Sequence, residues 1–313
     1  MTETVARADD DLAAAVFIAL RRSLFDASGK PLLFTLKDKG KTQDDPFDVY
    51  LSELLSRELK SASCLKSPGA PRPSKRKKNK GSNTSPDMVV IRPDLCIGVS
   101  AKEILNLRSV VALEVKKLHR TAGGKVARGS GADFNTTPPC GTIVVYDHAG
   151  GPVHVRAFYL FFCLEQDDGG QQFASAMLMV DGNVLNANFE LYINIVNPRK
   201  KAIGLGTYGD GINRQRPMFV FPNPLACKSF DHQRTLLHPS SDLATENLEL
   251  RRIAKVTRAV PDKETATFYA YRTKEDVTGN GIEPDICDPF AKPKSREVTS
   301  HRGRFFLPLR LTR

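Results

Sequence analysis

Two short apolar runs carry charged residues at positions suited to chemistry. Pro86-Asp87 leads into Met88–Ile91, and the run that starts at Val110 contains Glu114 and Lys116. Side chains alternate along a strand, so Glu114 and Lys116 point to the same side, roughly 6 to 7 Å apart at their backbones. A strand buried on both faces accepts such charges only when they are paired or ligated. We therefore expect this acid and this lysine to have partners.

Carboxylates that converge from adjacent strand ends offer hard oxygen ligands in small number. Such a set suits Mg²⁺, which keeps several waters and binds substrate phosphates. A neighbouring ammonium can orient the attacking water and offset the charge that grows on the phosphate. The pattern therefore predicts metal-assisted hydrolysis of a phosphate ester.

The acid-x-lysine pattern alone is weak, because it occurs twice in the chain. The second instance, Glu58-Leu59-Lys60, falls at the end of a predicted helix, where such a pair is typical of a solvated face. Only Glu114 follows a predicted strand and has a Pro-Asp strand start upstream. Asp94 lies between the same two strands and is a second candidate for the place of Asp87.

Pro86-Asp87 followed by Glu114-Val115-Lys116 resembles the signature of the PD-(D/E)xK nuclease superfamily. The resemblance also covers the order helix, strand with Asp, strand with Glu-x-Lys, and its motifs span about residues 53–147. It implies that Asp87 and Glu114 bind Mg²⁺, that the Val115 carbonyl completes the metal shell, and that Lys116 assists the attacking water. Members often carry a further acid on the preceding helix, for which Glu53 is favoured over Glu58.

The order of helices, then strands, then a further helical stretch predicts an α/β or α+β fold with a mixed central β-sheet. The resemblance further implies a restriction-endonuclease-like form of this fold, with the sheet flanked by helices. Segment 128–141, with its glycines and paired prolines, is similar to a loop that follows the catalytic strand in some type II restriction endonucleases. The alternative to DNA contact for this segment is an ordinary Pro-rich turn. For residues 117–120 the alternative is a solvated basic turn, and for the glycine-rich segment 204–216 it is a flexible loop. The residues expected to contact DNA are Lys117, Arg120, Arg128, Asn135, Thr136, Thr137, Arg214 and Arg216.

The formal net charge of +11 indicates a polyanionic partner. Seven basic residues and no acid fall within residues 66–85, so the rest of the chain is only weakly basic. That segment is rich in Pro, Ser, Gly and Lys, and we expect a flexible basic loop inserted in the fold. Its alternatives are contact with DNA and a solvated linker.

The 313 residues, 41% of them hydrophobic, suffice for a sizeable core. We expect one nuclease domain over residues 1–313, in which residues 200–313 rest on composition alone and are candidates for DNA contact. Helices are predicted at 10–24, after Pro46, at 101–107 and within 243–256. The predicted strands are 88–91, 109–115, 142–146, 153–164, 174–180 and 191–196.

Several classes of protein are disfavoured by the sequence. No apolar run approaches the ~20 residues of a membrane span, and the N-terminus is acidic where a signal peptide is basic, so we expect a cytoplasmic protein without membrane contact. The six cysteines form no CxxC pair, and the histidines lack the spacing of other metal nucleases.

The sequence thus predicts a Mg²⁺-dependent type II restriction endonuclease acting on double-stranded DNA. Family resemblance implies a homodimer and a cognate DNA methyltransferase that acts on the same site. One alternative is a repair or recombination nuclease of the same fold that reads DNA structure. The other is a non-catalytic DNA-binding protein in which Glu114 and Lys116 form a structural ion pair.

Overall fold

The computed structural model describes residues 11–36, 45–66, 86–118, 141–149, 151–185, 225, 230–259, 265–279 and 283–287. Two longer helices are present, α1 (Leu12–Leu24) and α2 (Pro46–Glu58). Three single turns follow along the chain: α3 (Ala101–Ile104), α4 (Gly182–Leu185) and α5 (Leu243–Glu246). Within these residues no helix is long and apolar enough to cross a membrane.

A large mixed β-sheet organises these elements. The strands are β1 (Leu33–Phe34), β2 (Ser63–Lys66), β3 (Met88–Ile91), β4 (Val110–Leu118), β5 (Thr142–Tyr146), β6 (Pro152–Gln166), β7 (Gln172–Asp181), β8 (Thr235–His238), β9 (Leu250–Ala259), β10 (Thr265–Thr273) and β11 (Asp285–Cys287). Their order is β11-β9-β10-β8-β7-β6-β4-β3-β2, with β1 paired to β7 and β5 to β6. Pairs β4–β6, β7–β8 and β9–β11 are parallel. The predicted mixed central sheet of an α/β protein is therefore confirmed.

Both longer helices begin where an aspartate caps the first turn. Asp11 accepts from the backbone N–H of Ala13 at 2.9 Å, and Asp45 accepts from that of Phe47 at 3.0 Å. Pro46 occupies the first turn of α2, where its missing N–H costs nothing. The helices bury their apolar stripes on one face of the sheet, in a core that includes Leu20, Leu51 and Leu113.

The alternating burial of β4 decides which residues meet this core. Val111, Leu113 and Val115 pack with the residues of α1 and α2. Ala112 belongs to a separate apolar cluster on the other face, so Glu114 and Lys116 lie on the side away from the helices. The sequence prediction for this strand is confirmed, although β4 continues three residues beyond Val115.

The helix predicted within residues 243–256 is wrong over most of its length. Only α5 is helical there, and β9 starts at Leu250. Leu250, Ala254 and Val256 are buried, whereas Arg251, Arg252 and Lys255 are exposed. Sheet pairing with β10 overrides the local helical spacing. The predicted strand 191–196 and almost all of the basic segment 66–85 lie outside the described residues.

A buried ion cluster ties α1 to the C-terminal strands. Arg21 donates from Nε and Nη2 to the two carboxylate oxygens of Asp276, each at 2.7 Å, and both side chains are 2% exposed. Arg234, which precedes β8, donates to the same carboxylate at 3.0 Å. The first helix and the last part of the sheet are therefore joined through one aspartate.

Replacing Asp276 by Asn should destabilise the protein by about 3 to 5 kcal/mol, because Arg21 would keep a buried charge without its carboxylate. Urea unfolding followed by circular dichroism measures this loss. Glu275→Gln is the matched control, since its ion pair with Arg22 is partly exposed and should contribute less than about 1 kcal/mol. Equal losses in the two variants would contradict the role assigned to Asp276.

Candidate active site

Asp87 and Glu114 meet at the point where β3 ends beside β4. The antiparallel register pairs Met88 with Leu113, so the preceding residue, Asp87, falls opposite Glu114. The Asp87 side chain accepts a 2.7 Å hydrogen bond from the backbone N–H of Val115. Asp87 thus supplies an acceptor to the backbone of β4 where the pairing of β3 with β4 stops.

Lys116 completes the group on the same side of β4. Its Nζ lies 2.6 Å from Glu114 Oε1, and its side chain is 8% exposed. The parallel neighbour β6 places Tyr159 beside Glu114 and Phe161 beside Lys116, and both aromatic residues are buried. The acid and the lysine thus pair with each other at a sheet position bordered by buried aromatic residues, where their attraction is stronger than in water.

On α2, the acid whose charge acts on Asp87 is Asp48, whereas the predicted Glu53 is exposed. Burial is greatest on the side of α2 that carries Leu51 and Leu55, and Asp48 is one turn before Leu51 on this side. Glu53 follows Asp48 by five residues, about 140° around the helix, and is exposed. Glu53 was predicted because it lies in the most regular part of the helix. The spacing of Asp48 from Leu51 and Leu55 indicates instead that Asp48 lies on the buried side of α2.

The pKa values of two carboxyls show how strongly the acids act on one another. Burial, then the charges of Glu114 and Asp48, raises the pKa of Asp87 to about 7, although the Val115 N–H and the Lys116 ammonium oppose the shift. Burial raises the pKa of Asp48 to about 6, with Lys117 opposing and Asp45 and Glu114 adding to the shift. Burial is thus the main reason that both carboxyls favour their protonated form, and the neighbouring carboxylates add to the effect.

Lys117 lies on the opposite side of β4 from Lys116 and faces the first turn of α2. Its Nζ is 2.5 Å from Asp45 Oδ2 and 3.6 Å from Asp48 Oδ1. Oδ1 of Asp48 is buried and receives no hydrogen bond. The ammonium that the sequence assigns to DNA contact is thus engaged by two carboxylates of the protein.

The carboxylates near the end of β3 are oxygen donors of the kind that bind divalent cations, but they are not arranged as the ligands of one metal ion. In the described part of the chain, no three His, Cys, Asp or Glu side chains are already arranged to hold a metal ion. Asp87 and Glu114 nevertheless supply hard oxygen donors at one strand edge, a type of ligand that fits Mg²⁺. The N–H and C=O of a strand residue point the same way, so the Val115 carbonyl also faces the Asp87 side.

The other predicted residues divide into two groups. Asp94 is exposed in the turn after β3, at the opposite end of that strand from Asp87, and Glu58 is exposed and pairs with Arg57 at 2.8 Å. The structure therefore brings neither of them to Glu114. The remaining predicted DNA-contacting residues lie outside the described ranges: Arg120, Arg128, Asn135, Thr136, Thr137, Arg214 and Arg216.

Comparison with known proteins adds no relative to this description. No protein-family model, curated protein or solved structure matches the chain.

Replacing Asp87 by Asn should stabilise the metal-free protein at alkaline pH. The raised pKa means that the folded state disfavours the ionised carboxyl. This cost is absent below the ordinary Asp pKa of about 4, grows as pH rises to about 7, and is complete above that. Asn keeps an oxygen that accepts from the Val115 N–H. We expect a melting temperature several degrees higher at pH 8, at about 2 to 4 °C per kcal/mol.

Thermal unfolding with a chelator at pH 5 and pH 8 measures the effect. Asp94→Asn is the control, because it removes the exposed acid of the same segment. A gain for Asp87→Asn that does not grow between the two pH values would contradict the raised pKa of Asp87.

Proposed function

We propose that the chain is a Mg²⁺-dependent endonuclease that hydrolyses phosphodiester bonds in double-stranded DNA, and that it acts as a sequence-specific type II restriction enzyme. The supporting observation is the meeting of Asp87 and Glu114 at the end of β3, with Lys116 held 2.6 Å from Glu114. Asp87 and Glu114 at this open strand edge offer hard oxygen ligands, and a divalent cation that binds them could also bind a substrate phosphate.

Asp87 and Glu114 would hold the metal ion, with the Val115 carbonyl as a further oxygen ligand. A bound Mg²⁺ would polarise a phosphate oxygen and lower the pKa of a coordinated water. Asp87 is the fixed member of the set, because the backbone of Val115 anchors its carboxylate. Lys116 is placed to orient the attacking water and to offset charge on the phosphate, once Glu114 turns from the ammonium to the metal.

The order of elements around the site supports a restriction-endonuclease-like fold. Helix α2 is followed by β2, β3 and β4 in antiparallel succession, and β6 joins β4 in parallel. This matches the helix, Asp strand and Glu-x-Lys strand of the PD-(D/E)xK resemblance. We further propose, from that resemblance, a homodimer that leaves 5′-phosphate and 3′-hydroxyl ends.

The Glu114–Lys116 ion pair is also what a non-catalytic DNA-binding protein would contain, so the pair by itself does not separate the two functions. The carboxyls of Asp87 and Asp48 favour the enzyme. A purely structural pair has no use for two further acids whose pKa values are raised by burial and by neighbouring carboxylates. A structure-specific nuclease of the same fold would share every feature of this site, and only the substrate distinguishes it.

Purified protein should cut phage DNA into discrete fragments with Mg²⁺ and leave it intact with a chelator. Asp87→Asn, Glu114→Gln and Lys116→Met should each slow cleavage by about a hundredfold or more, because each removes a metal ligand or the water-positioning ammonium. Glu53→Gln is the matched control and should cut at the wild-type rate, since Glu53 lies on the exposed side of α2.

A smear of fragments would contradict sequence-specific cleavage and indicate a less selective nuclease. Cleavage confined to junction or mismatch oligonucleotides would indicate the structure-specific alternative. Intact DNA under all divalent metals tested, from protein that still binds DNA, would overturn the nuclease proposal in favour of a binding protein.

A further inference from the structure

His238, the last residue of β8, is a buried titratable side chain that takes no part in the proposed reaction. Its ring stacks on Phe158 of β6, with the ring centroids 5.7 Å apart. Nδ1 accepts a 3.0 Å hydrogen bond from the backbone N–H of Ser240, and Nε2 lies 3.3 Å from Asp11 Oδ2. One imidazole thus joins the turn after β8 to the residue that caps α1.

The contact with Ser240 specifies the protonation state of the ring. A ring nitrogen that accepts a hydrogen bond carries no proton, so this contact requires the neutral imidazole. The one proton of the neutral ring is then on Nε2 and faces Asp11. A second proton would be placed on Nδ1, where it would face the N–H of Ser240. A charged His238 and the Ser240 hydrogen bond therefore exclude each other.

Carboxyl groups flank the ring from two elements. Hydrogen bonds from His238 and then Arg156 hold the pKa of Asp11 well below its ordinary value, although burial opposes the shift. Asp181 ends β7 and falls beside His238, because the parallel register places the residues before them opposite each other. Burial raises the pKa of Asp181, while the Asn183 N–H and then His238 oppose the shift. A positive charge on the imidazole would have carboxyl groups on both sides.

The arginines near the ring are themselves engaged by acids. Arg156 of β6 donates from Nη1 and Nη2 to the two oxygens of Asp11, each at 2.9 Å. Arg108 donates from Nε to Asp11 at 3.2 Å and from Nη1 to Glu246 of α5 at 2.9 Å. On the β10 side, the phenol-bearing Tyr269 falls opposite the ring in the register. The repulsion that the arginines exert on a charged imidazole is therefore partly offset by their own acids.

Ser240 attaches the turn after β8 to the sheet. Its N–H is bound by His238 of β8, and its C=O accepts a 2.6 Å hydrogen bond from the hydroxyl of Tyr271 on β10. Its Oγ accepts from the N–H of Asp242, the residue that precedes α5. Loss of the bond to His238 would free the N–H side of this turn and leave its C=O side held.

We propose that His238 is an acid-sensitive latch for residues 239–242. Between pH 8 and pH 5 the ring takes up a proton from solvent on Nδ1, keeps its contact with Asp11 and releases the N–H of Ser240. Histidine is the side chain whose charge ordinarily changes in this range. The inference is independent of the proposed function, because the latch contains no residue assigned to catalysis.

Nuclear magnetic resonance of the full-length, ¹⁵N-labelled protein tests the latch without a substrate. At pH 8 the His238 ring should carry a proton on Nε2 alone, and at pH 5 on both nitrogens. The Ser240 amide, corrected for the intrinsic pH dependence of exchange, should exchange about five- to tenfold faster at pH 5, the factor expected for loss of one hydrogen bond. The amide of Leu237 in β8 is the internal reference and should keep its protection.

His238→Asn keeps an oxygen acceptor near the position of Nδ1 but does not titrate, so its Ser240 protection should be the same at both pH values. His148→Asn, which removes an exposed histidine, is the matched control and should keep the wild-type change. A ring that stays neutral at pH 5, or a charged ring with unchanged Ser240 protection, would overturn the proposal. The same holds for a loss of protection that persists in His238→Asn or extends to Leu237. If His238→Asn does not fold, the ring and amide signals of the wild type still decide.

Discussion

The end of β3 leaves the Val115 N–H of β4 without a strand partner, and Asp87 provides the acceptor at 2.7 Å. A buried backbone N–H without a partner costs free energy comparable to a lost hydrogen bond, so this contact is needed by the fold itself. It also fixes an acid directly opposite Glu114. The same interaction that closes the sheet at this point therefore creates the concentration of negative charge from which the site is built.

The lysines of β4 offset that charge from two sides. Lys116 shares a face with Glu114, while the alternation of the strand turns Lys117 towards Asp45 and Asp48 on α2. Burial, with the neighbouring carboxylates adding to it, raises the pKa of Asp87 and of Asp48. A metal ion bound to Asp87 would favour its ionised form, so binding would be coupled to stability.

Strand β4, which carries Glu114 and Lys116, could be predicted because the alternation of side chains along a strand depends only on neighbouring residues. Alternation alone places Glu114 and Lys116 together and directs Leu113 and Val115 into the core, as observed. The strand start at Asp87 was recognisable from its Pro-Asp sequence. Its position opposite Glu114 was not, because register depends on which residues of β3 and β4 pair.

Features that depend on contacts between distant parts of the chain could not be predicted from the sequence. Asp48 faces Lys117 because of the rotation of α2 over the sheet, whereas the predicted Glu53 is exposed. Strand β9 exists because β10 and β11 flank it, although its spacing of apolar residues resembles that of a helix. Asp276, which holds Arg21 from 255 positions away, has no sequence signature at all.

Anomalous diffraction from crystals of the protein soaked in Mn²⁺ tests the central claim most directly, because it locates the ion without reference to activity. We expect a strong anomalous peak between the carboxylates of Asp87 and Glu114, with Lys116 released from Glu114. A fully occupied peak elsewhere, or none at saturating Mn²⁺ with the Glu114–Lys116 pair intact, would show that these acids do not form a metal site.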